Sequence, residues 1–144
     1  MVPPLPSNCT TVYTDAAWKA STQMAGLGWI ITNPSGASQF SKSEGTIGSA
    51  LCAEALAMRE ALLKCKELGI KRIVCKSDSA QLITSINTGF SPPEIYGIIS
   101  DVLDLGFSFD VISFVWISRG KNKAADNVAK TCLVGVEAFM AAPN

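Results

Sequence analysis

The spacing of apolar and polar residues changes period along the chain, and the changes mark out its elements. Thr10 to Asp15 (TTVYTD) is β-branched and aromatic, as a strand should be, and runs into Ala16-Ala17-Trp18. Ala25 to Asn33 (AGLGWIITN) reads as a second strand and Asn33-Pro34-Ser35-Gly36 as a turn, after which Gly36 to Ile47 returns as a more polar third strand. So short a turn makes this pair antiparallel. Ser49 to Leu68 has helical period: Leu51, Ala55, Met58, Leu62 and Cys65 share one face, Glu60, Lys64 and Glu67 the other, with Gly69 as the stop signal. A buried strand, Lys71 to Ser77, then passes into a short helix, Ser79 to Asn87, and a second helix, Glu94 to Leu105, leads to the strand Asp110 to Ile117. Asn122, a candidate N-cap, opens a last helix to about Met140. The order βββαβααβα predicts an α/β chain in which an antiparallel meander is followed by two strands reached through helices, and therefore parallel to their neighbours.

Composition narrows the chemistry. At 144 residues and 48% hydrophobic, the chain suits one folded domain over residues 10–140 behind a short extended lead-in, 1–9. The prolines of that lead-in interrupt what a signal peptide would need to be apolar, and no stretch approaches a membrane span, so an intracellular protein is expected. Twelve basic residues balance twelve acidic ones, which argues against a strongly electrostatic nucleic-acid binder. There is no histidine, so triads and metal sites that depend on one are excluded. The five cysteines form no C-x-x-C pair and read as reduced thiols rather than a zinc site. Gly26-Leu27-Gly28 lies inside a strand pattern and lacks the rest of a dinucleotide fingerprint. Trp18, Trp29 and Trp116, each in or beside a strand, read as core.

Four acidic residues stand against their local pattern. Asp78 sits at a strand-to-helix junction, where it or Ser79 could simply cap the helix. Glu54 falls inside the apolar stripe of its helix, a costly place unless it is paired, bound to metal or turned to solvent at the helix edge. Asp126 leans to the buried side of the last helix with Ala129, Leu133 and Met140, yet also lies near the first turn, where the helix dipole favours a negative charge. Asp15 ends the first strand pattern and becomes a neighbour of Asp78 if the first and fourth strands pair in parallel. Four ionised carboxylates in one place require cations, and an all-oxygen set selects magnesium or manganese.

Thr14-Asp15-Ala16, Ala53-Glu54-Ala55, Ser77-Asp78-Ser79 and Asn122-Lys123-Ala124-Ala125-Asp126, in this order on these elements, resemble the ribonuclease H family, and specifically its plant, reverse-transcriptase-like branch related to retroelements. The resemblance spans roughly Val12 to Leu133. It implies a five-stranded mixed sheet in the order 3-2-1-4-5 flanked by helices, and endonucleolytic hydrolysis of the RNA strand of RNA/DNA hybrids. It further implies two magnesium or manganese ions held by Asp15, Glu54, Asp78 and Asp126, one generating hydroxide from water and one stabilising the departing 3′-oxygen. Glu54 would also position the neighbouring 2′-hydroxyl. Ser79, Arg119, Lys121, Asn122 and Lys123 would face the nucleic acid, the chain acting as a monomer with no membrane partner.

The chain departs from that family in several places. Arg119 stands in the loop where many members carry a histidine, and can hold a phosphate but not shuttle protons. Ala16 follows the first aspartate in place of a common glycine, Ala80 replaces a common glutamine, and no basic handle lies between Asn87 and Glu94. The cluster of Arg119, Lys121, Lys123 and Lys130 is the only basic one near the expected site, and a solvated loop is its plainer reading. Two alternatives stay open at this point: a retroelement-derived domain that binds nucleic acid without cutting it, and an unrelated α/β protein whose acids are caps and ion pairs.

Overall fold

The computed structural model describes residues 8–141, so most of the expected lead-in lies outside the described residues. Strands β1 (Thr10–Lys19), β2 (Met24–Asn33), β3 (Gly36–Glu44), β4 (Arg72–Ser77) and β5 (Val111–Trp116) form one sheet in the order β3-β2-β1-β4-β5. The first three are antiparallel, and β4 pairs in parallel with both β1 and β5. Helix α1 (Ala50–Glu67) joins β3 to β4, α2 (Ala80–Thr88) and α3 (Tyr96–Gly106) join β4 to β5, and α4 (Lys123–Ala141) follows β5. This is the mixed α/β sheet expected from the pattern.

Some boundaries move for identifiable reasons. β1 runs on to Lys19, past the expected end, because its ladder with β2 continues to the pair Lys19 and Met24. β3 stops at Glu44, short of Ile47, whose carbonyl instead receives the indole N–H of Trp18 at 2.8 Å. Ser49 caps α1 by accepting from the Cys52 amide, and Gly69 takes the left-handed conformation (φ 74°) just beyond the helix. A single 3₁₀ turn, Pro93–Ile95, precedes α3, since Pro92 and Pro93 cannot donate into a helix.

The two faces of the sheet are covered by different helices. Ala25, Leu27 and Trp29 of β2 share a core with Ala53, Met58, Leu62 and Cys65 of α1 and with Ile73 and Cys75 of β4. The intervening Gly26 and Gly28 face α4, whose backbone at Ala129 lies where their side chains would be. β2 is thus buried on both faces. Along α4 the buried stripe holds Ala125 and Ala129 but not Met140, which is 60% exposed near the helix end.

All five cysteines are free, with Cys65 and Cys75 buried. Burial pushes the Cys65 thiol up to about 12, and Cys75 also lies well above the ordinary range. Native-state alkylation is therefore expected to label at most Cys9, Cys52 and Cys132, with Cys65 and Cys75 reacting only in denaturant. Mass spectrometry checks this: prompt labelling of Cys65 would mean that the α1–β4 packing opens readily.

Candidate metal centre

The parallel ladder between β1 and β4 ends at the pair Thr14 and Ser77, so the next residues, Asp15 and Asp78, emerge side by side. Ser79, not Asp78, caps α2 by accepting from the Leu82 amide at 3.3 Å, which leaves the Asp78 carboxylate free of helix duty. Glu54 reaches the same point from the second turn of α1. The Ala16 amide donates to Asp15 Oδ1 at 2.9 Å and to Glu54 Oε1 at 3.2 Å, tying both acids to one peptide group. Oxygens of Asp15, Glu54 and Asp78 all lie within 4.8 Å of one another.

Electrostatics show the strain of this arrangement. Burial is the largest influence on Asp15, and with repulsion from Asp78 and a hydrogen bond with Asp126 it outweighs the lowering by hydrogen bonds to Glu54 and the Ala16 amide, pushing Asp15 from 3.8 to about 6. Glu54 is pushed well above its ordinary value, first by burial and then by Asp15 and Asp78. Its Oε2 is buried without a partner. The donor set therefore fits a hard divalent cation, which would satisfy the orphaned oxygen and restore ionisation.

A prediction follows for the metal-free chain. Between pH 3.8 and about 6 folded Asp15 holds more proton than unfolded Asp15, so its contribution to stability falls as pH rises through that window. Asp15→Asn removes the penalty: in chelator its stability should match the native chain near pH 4 and exceed it by about 2 kcal/mol at pH 7. Equal melting temperatures at pH 7 would show that Asp15 is not strained.

Asp126 approaches from α4. It is near enough to raise Asp15 but is paired with Lys130 Nζ at 2.8 Å, with its side chain 26% exposed, and it stands outside the tight group of three. Asn122 is the largest surprise. Rather than capping α4 or facing nucleic acid, it is 1% exposed, and its amide donates to the Thr14 carbonyl at 2.8 Å and to Asp78 Oδ2 at 3.1 Å. Its Oδ1 has no partner, so no capping bond forms. Local sequence offered a cap signal and no sign of these distant partners.

Arg119, Lys121 and Lys123 are exposed and make no ion pair among the described residues. Ser79 is half-buried at the rim. Four residues, Gly89 to Pro92, separate α2 from the turn before α3, leaving no room for a basic handle. Trp29 is core and Trp18 packs against it, but Trp116, expected in the core, is 53% exposed. β5 is an edge strand, and Trp116 is its last residue. Among the described residues no helix is long and apolar enough to cross a membrane.

A search of curated protein sequences returns no match. Solved structures are similar in fold. Ribonuclease H1 of Halobacterium salinarum matches with a TM-score of 0.80 at 22% identity, over 88% of this chain and 98% of that one. The N-terminal ribonuclease H domain of a Mycobacterium tuberculosis protein gives 0.82 at 17% identity, over 93% and 99%. A ribonuclease H1 isolated from compost by a metagenomic approach, in complex with RNA/DNA hybrid, gives 0.78 at 19% identity, over 88% and 98%. Residues 13–132 match the family described as reverse transcriptase-like, and the chain, with its ribonuclease H-like fold, belongs to that family.

Proposed function

We propose that the chain is a divalent-metal-dependent endoribonuclease that hydrolyses the RNA strand of RNA/DNA hybrids. The observation that carries this reading is the convergence of Asp15, Glu54 and Asp78 within 4.8 Å, a cluster of like charges with no purpose in a structural core. A fold neighbour solved with RNA/DNA hybrid supports the choice of substrate. Asp15, Glu54 and Asp78 would hold magnesium or manganese, with Asp126 completing the set. A divalent ion supplies water activation near neutral pH and charge neutralisation at the scissile phosphate.

The chain's own groups do the remaining work. The Ala16 amide fixes Asp15 and Glu54, and Asn122 fixes Asp78, so the oxygens are preorganised. Arg119, Lys121 and Lys123 offer unpaired cations to the phosphate backbone, Arg119 through its planar fork. No histidine is available for proton transfer, so turnover should be slow.

A second reading, a domain that binds nucleic acid without cutting it, is favoured by the zero net charge and the short α2–α3 connection. One assay separates the two. With an end-labelled hybrid in magnesium and in manganese, the nuclease reading expects fragments from the RNA strand alone and none in chelator. An intact hybrid in both metals, from protein that binds it, would leave the binding module.

A further inference from the structure

Trp116 closes β5 opposite Ser77, one residue from Asp78. Its indole N–H donates to the Asp78 carbonyl at 3.1 Å, so the ring is pinned to the residue whose carboxylate enters the acidic cluster. Yet 53% of Trp116 lies in solvent, while Trp29 is 5% exposed and Ile112 and Phe114 of the same strand pack against the core. Other exposed aromatics, such as Phe90, Phe107 and Phe139, have no polar atom to hold them in register with anything. Trp116 alone among these joins wide exposure to a fixed orientation beside the carboxylates, and the unpaired basic loop begins three residues later at Arg119.

We infer that the exposed indole of Trp116 is a contact platform for the RNA strand, packing against the ribose of nucleotides beside the cleavage site. The inference rests on the nuclease reading above. Base faces within a duplex are already stacked on one another, but the wide, shallow minor groove of an RNA-containing helix presents sugars. A broad apolar ring suits their C–H edges. Because the indole N–H is committed to Asp78, the contact is one of shape and apolar area, blind to base sequence. It also supplies affinity that salt does not screen, which a chain of zero net charge needs.

The test is a titration in calcium, chosen to permit binding while slowing cleavage, with a short fluorescein-labelled RNA/DNA hybrid. Anisotropy of the label and emission of the tryptophans are followed together. For the native chain we expect emission to change in step with anisotropy, a change that Trp116→Phe abolishes. Trp116→Leu should weaken binding about tenfold, Trp116→Phe should recover most of it, and neither should alter the slope of log K against log salt. Native binding without an emission change, or a folded Trp116→Leu that binds like the native chain, overturns the platform and leaves the nuclease reading standing. If Trp116→Leu fails to fold, the native emission change decides. Absence of native binding by anisotropy overturns both.

Discussion

Asp78→Asn is expected to abolish hydrolysis of the hybrid, lowering the rate on the order of a thousandfold or more, with little loss of stability. The substitution keeps the shape of the side chain and an oxygen to accept from the Asn122 amide, but it removes a charge from the group within 4.8 Å. Asp15→Asn should match it, and Glu54→Gln should follow closely, since its unpartnered Oε2 is the oxygen best placed to gain a ligand. Asp126→Asn should cost less, about ten- to a hundredfold, because Asp126 stands outside the group of three and is already paired with Lys130. The order of these losses is the informative part. Should Asp126→Asn prove the most damaging and Asp15→Asn nearly silent, the centre would have to lie closer to α4 than the clustered oxygens suggest. Rates are measured on the labelled RNA strand, with magnesium affinity followed separately by calorimetry.

The second large effect is structural. A Cβ at Gly26 would meet the Ala129 carbonyl oxygen and the Leu133 amide nitrogen, the latter at 2.6 Å, and one at Gly28 would lie 2.7 Å from the Ala129 amide nitrogen. All are backbone atoms of α4, so no side-chain rotation relieves the overlap, and the helix must lift from the sheet. Gly26→Ala should destabilise the chain by about 2–4 kcal/mol, comparable to gross overpacking, whereas Gly48→Ala, with nothing within 4 Å, should be nearly neutral. Chemical denaturation reads both. Because α4 carries Asp126 and follows directly on Asn122, the surviving folded Gly26→Ala protein should also bind magnesium more weakly. A neutral Gly26→Ala would show that α4 rides higher on β2 than described.

These cases show where sequence was informative. Strands and helices were legible because one face of each is apolar with its own period, and Asp15 and Asp78 needed only the inference that β1 and β4 run in parallel. Glu54 announced itself as a charge in an apolar stripe. Other features depend on partners far along the chain. Gly26 and Gly28 read only as glycines inside a strand pattern, because the helix that needs their bareness lies about a hundred residues later. Asn122 carried the local signature of a cap, which its bonds to Thr14 and Asp78 displaced. Trp116 had strand context, but the pattern does not reveal that an edge strand outruns its covering at its last residue. For Asp126, helix periodicity identified the side of α4 but not the competing Lys130 one turn on.

Asn122 also sets a schedule. Its amide joins the Thr14 carbonyl, 108 residues earlier, to the Asp78 carboxylate, 44 residues earlier. A ribosome will have released β1, α1 and β4 well before this residue emerges, so all three clustered acids precede the group that steadies one of them. The growing chain therefore passes through most of its synthesis with Asp78 unbraced, and that bond forms only when the final segment swings back across the sheet. A polypeptide ending before Asn122 would retain Asp15, Glu54 and Asp78 and the Ala16 amide, but not the group that steadies Asp78.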